Sequence, residues 1–410
     1  MILPVDGRMP IDASLQDQAT LDEPARQGAS RVEWIRSRMP LMRSVREEFE
    51  KSRPFQDLRI GVSLHIEPKT AVLLEVLQAG GADIVGTGNF GSTQDDVAAW
   101  LRTLGIEVLG RRDDTFDAHQ RNLEGVMDAK PDVLLDNGAD LAAEAVRRGV
   151  AGSIIGATEE TTSGGNRLRG EIGDRLTFPC IVINDSPLKA IAENRHAVGQ
   201  SVVESFMRIT NLMIPGRRFV VAGYGWCGRG IAQCFRAFGG KVAIVEIDEI
   251  KALEACFDGC RVGRLEDFLD WGEVFVTATG ARHAITAGHA RRMTDGAVLM
   301  NAGHFPWEIE VDGIRAAATG ARTMGDAVER LDLHGGRHIV LVAEGRMVNL
   351  AGHAPKGNSI ASMDLGFTLQ AFSLQRLLDG RALAAGAQPV PDDINRRICR
   401  MMMEAMGSAL

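Results

Sequence analysis

The sequence lacks the features that would place it in a membrane, on a nucleic acid or in an oxidising compartment. No apolar run approaches the ~20 residues that a bilayer span requires. The N-terminus, with Asp6, Arg8, Asp12, Asp17 and Asp22, has no apolar signal-peptide core, so a cytoplasmic protein without a membrane partner is expected. The formal charge is −8 with scattered basic residues, which leaves no electrostatic footprint for a polyanion; nucleic acid is not expected as a partner. The six cysteines (Cys180, Cys227, Cys234, Cys256, Cys260 and Cys399) contain no CxxC pair, and the CxxxC of Cys256 and Cys260 has no second ligand cluster. Buried thiols are expected, with neither disulfide nor metal. Internal repeats and low-complexity tracts are absent. What is present is a 410-residue chain, 45% hydrophobic and 24% charged, which fits a globular enzyme of about two domains.

Residues 1–55 are polar and helix-permissive, and the charged run Arg43 to Arg53 reads as a solvated helix. From Leu58 onward, short apolar runs closed by Gly or Asp alternate with helical periodicity: LRIGVSL, TAVLLEVLQAGG, ADIVGTG, DVLLD, GSIIGAT and CIVIND. Such alternation is the pattern of βα units around a mostly parallel sheet. A long helix over about Leu188–Leu212 leads to a second series that begins at Arg218 and continues through EVFVTATG and AVLMNAG. HIVLVAEGRMVNL and the helical MDLGFTLQAFSLQRLL follow it. The ends of the chain therefore build one domain and the middle inserts another. The expected fold is α/β with two doubly wound parallel-sheet domains. Residues 1–195 and the return segment 346–385 form a split substrate domain, 196–345 an inserted Rossmann domain, and 386–410 a C-terminal segment.

Gly223, Gly225 and Gly228 form GxGxxG directly after an apolar strand and at the head of a helix, and Glu246 ends the next strand. That context is the dinucleotide fingerprint. The first glycine permits the tight turn, the second lets backbone amides approach the pyrophosphate, and the third packs helix on strand with its N-terminal dipole toward the phosphates. An acid at Glu246 suits two ribose hydroxyls and repels a 2′-phosphate, so NAD is expected over NADP.

Beside this loop stand GNFGSTQDDVAAWL, LLDNGADL, GATEETTSGGNRL, FPCIVINDSPLKAIAEN, VTATG, NAGHFPWEIEV and LVAEGRMVNL. In this order, over most of residues 58–380, the chain resembles the S-adenosylhomocysteine hydrolase family. The resemblance implies a split substrate domain, an inserted Rossmann domain with a cleft between them, tightly held NAD and a homotetramer. It also implies a chemistry: oxidation of the ribose 3′-hydroxyl acidifies the C4′ proton, homocysteine thiolate is eliminated, water adds, and the oxidation is reversed. Residue by residue, Lys189 matches the lysine that handles the 3′-hydroxyl proton, with Asn194 beside it. Glu160 matches the acid that binds ribose hydroxyls, and Thr161, Thr162 and Ser163 lie in the segment that reaches NAD. His65 matches the histidine near C5′, and His304 the one between cofactor and substrate. Asn301 and Asn349 match cofactor-side asparagines, and Thr279 and Gly280 the turn beside the nicotinamide ribose.

The departures from the family are informative. The second acid of its DDGGD motif is Asn137 here, so proton transfers assigned to that carboxylate must move to His65 or Asp136, or be lost. The acid of its KxxxDN stretch is Glu193. Its GHPS loop does not match: one count puts the loop histidine on Asn358, the other brings His353 and Lys356 into the loop. The Lys and Tyr tail that reaches a neighbouring subunit's NAD is also missing, which leaves a dimer beside the tetramer. In the segment after His65, where the family has an acceptor for the adenine amino group, this chain reads Glu67, Pro68, Lys69, Thr70. Lys69 offers only donors and suits a ring oxygen, while Glu67 suits a ring N–H.

The leading expectation is an NAD-dependent hydrolase of the adenosylhomocysteinase type, cleaving a nucleoside C5′ thioether through a 3′-keto intermediate. One alternative is a nucleoside 3′-oxidoreductase or epimerase acting on a non-adenine nucleoside. A second is an inactive NAD-binding regulatory homologue.

Overall fold

The structure is a computed structural model that describes residues 21–381 and 383–408. The acidic stretch preceding Leu21, on which the expectation of no signal peptide rests, lies outside the described residues. In chain order the strands are β1 (Arg59–Ser63), β2 (Asp83–Thr87), β3 (Glu107–Leu109), β4 (Val133–Asp136), β5 (Gly156–Glu159), β6 (Pro179–Val182), β7 (Arg218–Ala222), β8 (Lys241–Val245), β9 (Arg261–Gly263), β10 (Val274–Thr277), β11 (Ala297–Asn301), β12 (Gly320–Gly325), β13 (Val328–Asp332), β14 (His338–Val342) and β15 (Gly386–Pro389).

The chain divides into two compact units: residues 1–189 with 360–410, and residues 190–359. The first unit holds a 7-stranded sheet of order β15-β6-β5-β4-β1-β2-β3, parallel throughout. Its strands are apolar on both faces, as helices covering both sides require. One face packs Leu134, Ala157, Cys180 and Val182 against the helices Phe116–Asp128 and Asp140–Arg148. The chain reverses its direction of strand addition between β1 and β4, so the turns after those strands form a switch point. In open α/β sheets, ligands bind outside the carboxyl ends of strands at such a point.

The second unit holds an 8-stranded sheet of order β12-β13-β14-β11-β10-β7-β8-β9, whose switch point lies between β7 and β10. Six strands are parallel, and β12 and β13 run antiparallel at the edge. This hairpin is missing from the pattern-based reading because its strands are polar and largely exposed.

Other expectations are corrected too. The inserted unit extends to Ser359, past the expected boundary at 345, and residues 386–410 join the first unit, where β15 pairs with β6. The charged run is not a solvated helix. Pro40–Ser52 buries Leu41, Met42, Val45 and Phe49, and its first turn is tied down by Asp364, whose oxygens accept from the backbone N–H of Leu41 (3.0 Å) and Met42 (2.8 Å). Burial pushes the Asp364 carboxyl up to about 6. Finally, the single helix expected over Leu188–Leu212 is a short turn Pro187–Lys189, a π-helix Ala190–Ala197 and an α-helix Val198–Thr210.

Candidate active site

In the first unit, the turns after β1, β4 and β5 bring together a polar cluster. Strand register places Asp136 opposite Glu159, so the residues that follow them, Asn137 and Glu160, are neighbours. Asn137 Nδ2 donates to Glu160 Oε2 (3.2 Å), and Lys189 Nζ lies 3.3 Å from Glu160 Oε1. Lys189, Glu160 and Asn137 are all buried. Each carboxylate oxygen keeps a second lone pair, which suits ribose hydroxyls. Asn89 Nδ2 donates to the Asn137 carbonyl (3.0 Å). The side-chain oxygens of Asn89 and Asn137 are buried without a hydrogen-bond partner.

His65 follows β1. Its Nδ1 lies 2.9 Å from Ser92 Oγ, and Ser92 donates its own hydroxyl proton to the Asn89 carbonyl (2.7 Å). Ser92 must therefore accept from His65 Nδ1–H, and the lone pair sits on Nε2. Burial, with Lys189 and Lys69 nearby, holds His65 down at about 4 against the pull of Glu160, so the ring is neutral at physiological pH. Thr70 Oγ1 donates to the His65 carbonyl (2.7 Å). Lys69 and Glu67 form a buried ion pair at 2.7 Å, at the start of the helix Pro68–Ala79.

The Asp136 carboxylate accepts from the backbone N–H of Asn137, Asp140 and Ala142, which caps the helix Asp140–Arg148.

Glu159 was missed by motif reading. It is fully buried and accepts from the N–H of Gly138 (3.0 Å), Ala139 (2.8 Å) and Thr161 (2.7 Å) and from Thr161 Oγ1 (2.7 Å). It thereby holds Ala139 at φ 58, a left-handed conformation that disfavours residues with a Cβ. Burial and the charge of Asp136 push Glu159 up to about 8, and burial and Asp140 push Asp136 up to about 7. Thr161 spends its hydroxyl proton on Glu159 and accepts from Gly164 N, which caps the helix Thr162–Arg169. Its neighbour Ser163 shares a hydrogen bond with it, and Thr162 accepts from Asn184.

In the second unit, Gly223 has φ 98, and a Cβ there would lie 2.5 Å from the Ala278 carbonyl oxygen; a Cβ on Gly228 would overlap the Gly223 carbonyl. A Cβ on Gly225 would meet no protein atom, so packing alone does not demand glycine there, and the backbone lies open to a ligand. Glu246 accepts from Tyr224 N (2.6 Å), Ile247 N (2.7 Å) and Asp248 N (2.9 Å), which sets the carboxylate beside the loop. The loop opens the helix Trp226–Ala237, and this arrangement fits a dinucleotide.

Glu308, fully buried and also missed, accepts from Thr279 N (2.8 Å), Thr279 Oγ1 (2.7 Å) and Gly280 N (2.9 Å). Asn301 accepts from Thr277 Oγ1 and Gly303 N and donates to the carbonyls of Gly303, Phe305 and Gly345. These hydrogen bonds clamp the loop that carries His304. Asn349 Nδ2 faces Ser201 and Asn358, and Asn358 Nδ2 donates to Glu193 Oε1 (3.2 Å). Of the two loop alignments, Asn358 thus joins the cluster of Glu193. His353 and Lys356 are exposed, and the His353 carbonyl is held by Arg208.

The family model described as S-adenosyl-L-homocysteine hydrolase matches residues 21–151, and the model of that family's NAD binding domain matches residues 194–354. An S-inosyl-L-homocysteine hydrolase of Methanopyrus kandleri is 41% identical over 392 residues, 94% of this chain and 92% of that protein. The chain belongs to the S-adenosyl-L-homocysteine hydrolase family. An adenosylhomocysteinase of Archaeoglobus fulgidus is likewise 41% identical over 386 residues (93% of this chain, 95% of that protein), and one of Thermosynechococcus vestitus is 38% identical over 413 residues (99% and 95%). This member of the family is an NAD-dependent hydrolase of the adenosylhomocysteinase type, and its second unit carries the NAD-binding domain. The oxidoreductase and regulatory alternatives find no support among these relatives. Among the described residues, no helix is long and apolar enough to cross a membrane.

Proposed function

We propose that this hydrolase cleaves the C5′ thioether of a nucleosidyl-homocysteine whose base is an oxo-purine such as hypoxanthine. The observation that carries this reading is the buried Lys69–Glu67 pair. Lys69 stands where the family resemblance puts the acceptor for the adenine amino group. An ammonium there leaves that amine unpaired, at about 1–3 kcal/mol, whereas a C6 carbonyl accepts from it and Glu67 accepts from the adjacent ring N–H. The Methanopyrus kandleri relative is named for an inosyl substrate and the Archaeoglobus fulgidus relative for an adenosyl one, at equal identity. Overall similarity therefore does not choose between them.

The chemistry follows from the first cluster. Glu160 accepts from the ribose hydroxyls and orients Lys189, whose Nζ exchanges the 3′-hydroxyl proton. NAD, which the Gly223–Gly228 loop with Glu246 at its ribose would hold in preference to NADP, would supply the reversible oxidation of C3′. Oxidation acidifies C4′–H. His65 Nε2 takes over the proton transfers that a carboxylate at position 137 would make, while the homocysteine thiolate departs and water adds at C5′. Glu193 and Asn194 are the catalytic residues that the second unit contributes in this reading. Two further parts of the reading are a homo-oligomer and a cytoplasmic location. The first is supported by the exposed apolar row Ile250, Leu253 and Phe257, the second by six cysteines that form no disulfide among the described residues.

The test is kcat/KM for S-inosylhomocysteine against S-adenosylhomocysteine. The inosyl substrate is expected to win, and Lys69→Gln should move the ratio about tenfold to a hundredfold toward the adenosyl substrate. A wild-type preference for the adenosyl substrate, or an unchanged ratio in a folded Lys69→Gln enzyme, would assign the ion pair to tying down the helix start and defeat the reading.

A further inference from the structure

The π-helix Ala190–Ala197 bears two of the proposed active-site residues, Glu193 and Asn194, and directly follows Lys189 in the chain. A π-helical turn is rare, and it recurs at functional sites because it re-aims side chains that a regular α-helix would carry elsewhere. In this chain it rests on another helix of the second unit, Trp226–Ala237, whose first turn is the dinucleotide loop. The contact is at backbone distance. A Cβ on Gly230 would overlap the carbonyl oxygen of Arg195, and a Cβ on Gly199 would lie 2.5 Å from the Gly230 carbonyl oxygen and 3.0 Å from Cys234 Sγ. Arg195 Nε also donates to Gln233 Oε1 (3.2 Å), one turn along the same helix.

We infer that Gly230 and Gly199 are positioning residues for catalysis: they let the helix that opens at the dinucleotide loop act as the seat of the π-helix carrying Glu193 and Asn194. One rigid element then sets both the pyrophosphate-binding amides at its N-terminus and, one and a half turns later, the backbone of the active-site segment. Gly225 and Gly228 serve the cofactor. Gly230 lies on the same helix but makes its close approach to Arg195, so its lack of a side chain has a separate purpose. Asn358 also donates to Glu193, so the π-helical segment has a second hold within the same unit. A displacement of about 1 Å at a catalytic group costs roughly a hundredfold in rate, and a methyl group at position 230 cannot be accommodated without moving Arg195.

The inference rests on the reading that Glu193 and Asn194 act in catalysis, and the two are tested separately in the full-length holoenzyme with S-inosylhomocysteine and S-adenosylhomocysteine as substrates. Glu193→Gln and Asn194→Ala test the reading; normal turnover in both would remove it. Gly230→Ala tests the inference. It should retain NAD through gel filtration and keep KM within about threefold, while kcat falls about a hundredfold and the pH profile of kcat shifts. A merely destabilised protein would keep the profile. Should Gly230→Ala fail to fold, Gln233→Ala, which removes only the Arg195 hydrogen bond, should show a smaller fall in kcat with the same shift of profile. If the glutamate and asparagine variants are impaired but the folded Gly230→Ala enzyme, or in its place Gln233→Ala, keeps kcat and profile, the inference is overturned.

Discussion

The two units end their switch-point strands in turns of the same kind, and each turn is held by a fully buried glutamate. Glu159 gathers the backbone N–H groups of Gly138, Ala139 and Thr161 together with a threonine hydroxyl, and Glu308 gathers those of Thr279 and Gly280 with another. The surroundings differ. The turn held by Glu159 has a second buried carboxylate, Asp136, on the adjacent strand, and it forces Ala139 to φ 58. The turn held by Glu308 places a glycine, Gly280, at its positive φ of 71. The turn assigned to the sugar chemistry stores electrostatic and backbone strain; the corresponding turn of the cofactor unit, with Gly280 at the positive φ, is built without it. Proton-handling groups have to be crowded to be useful, whereas an anion cradle needs only donors and space.

Three changes sharpen or break this contrast. The largest effect is expected from Lys189→Ala, which should lower kcat by about 10²–10⁴-fold and abolish the NADH absorbance that develops with substrate, while bound NAD stays at its wild-type level. Loss of NAD from that variant would show that the two clusters are not separable. Second in size is Glu159→Gln. Asp136 and Glu159 are raised to about 7 and about 8, so the folded chain holds protons that the unfolded chain has released. Their contribution to stability is complete below the ordinary carboxylate range and is lost as pH rises through 7 and 8. Thermal unfolding followed from about pH 5 to pH 9 should therefore fall more steeply in the wild type than in Glu159→Gln, which starts lower by about 1–3 kcal/mol because its amide faces backbone donors. Equal slopes would remove the titrating pair. The smallest effect is expected from Ala139→Gly. Relieving the left-handed alanine should raise stability by about 1 kcal/mol, read as a higher midpoint in urea, and no gain would mean that position 139 is unstrained.

Much of this was legible in the sequence. The runs LRIGVSL, ADIVGTG, DVLLD and CIVIND became parallel strands, because burial on both faces leaves an unbroken apolar signature. Gly223 and Gly228 were legible because close backbone approach demands glycine there, and Glu246 because it directly follows the next strand. Other features left no such trace. The pair β12 and β13 is polar, since an exposed edge needs no apolar face. The π-helix is invisible to a search for helical periodicity, which reads Leu188–Leu212 as continuous. Glu159 and Glu308 were passed over because a carboxylate that binds backbone amides leaves no pattern in side-chain types, and Glu159 sits next to the glutamate that the motif does mark.

The way the chain closes the first unit bears on its synthesis. Asp364 caps a helix that begins at Pro40, and β15 completes its sheet beside β6, so the first unit cannot be finished until nearly all of the chain has left the ribosome. The second unit is one contiguous stretch and can fold while the remainder is still being made. A growing chain would then carry an assembled cofactor domain next to an open sheet whose strands β1 to β6 wait for their last partner. Such unpaired edges are where nascent proteins aggregate, and a C-terminal truncation before Gly386 should yield insoluble protein rather than a smaller enzyme.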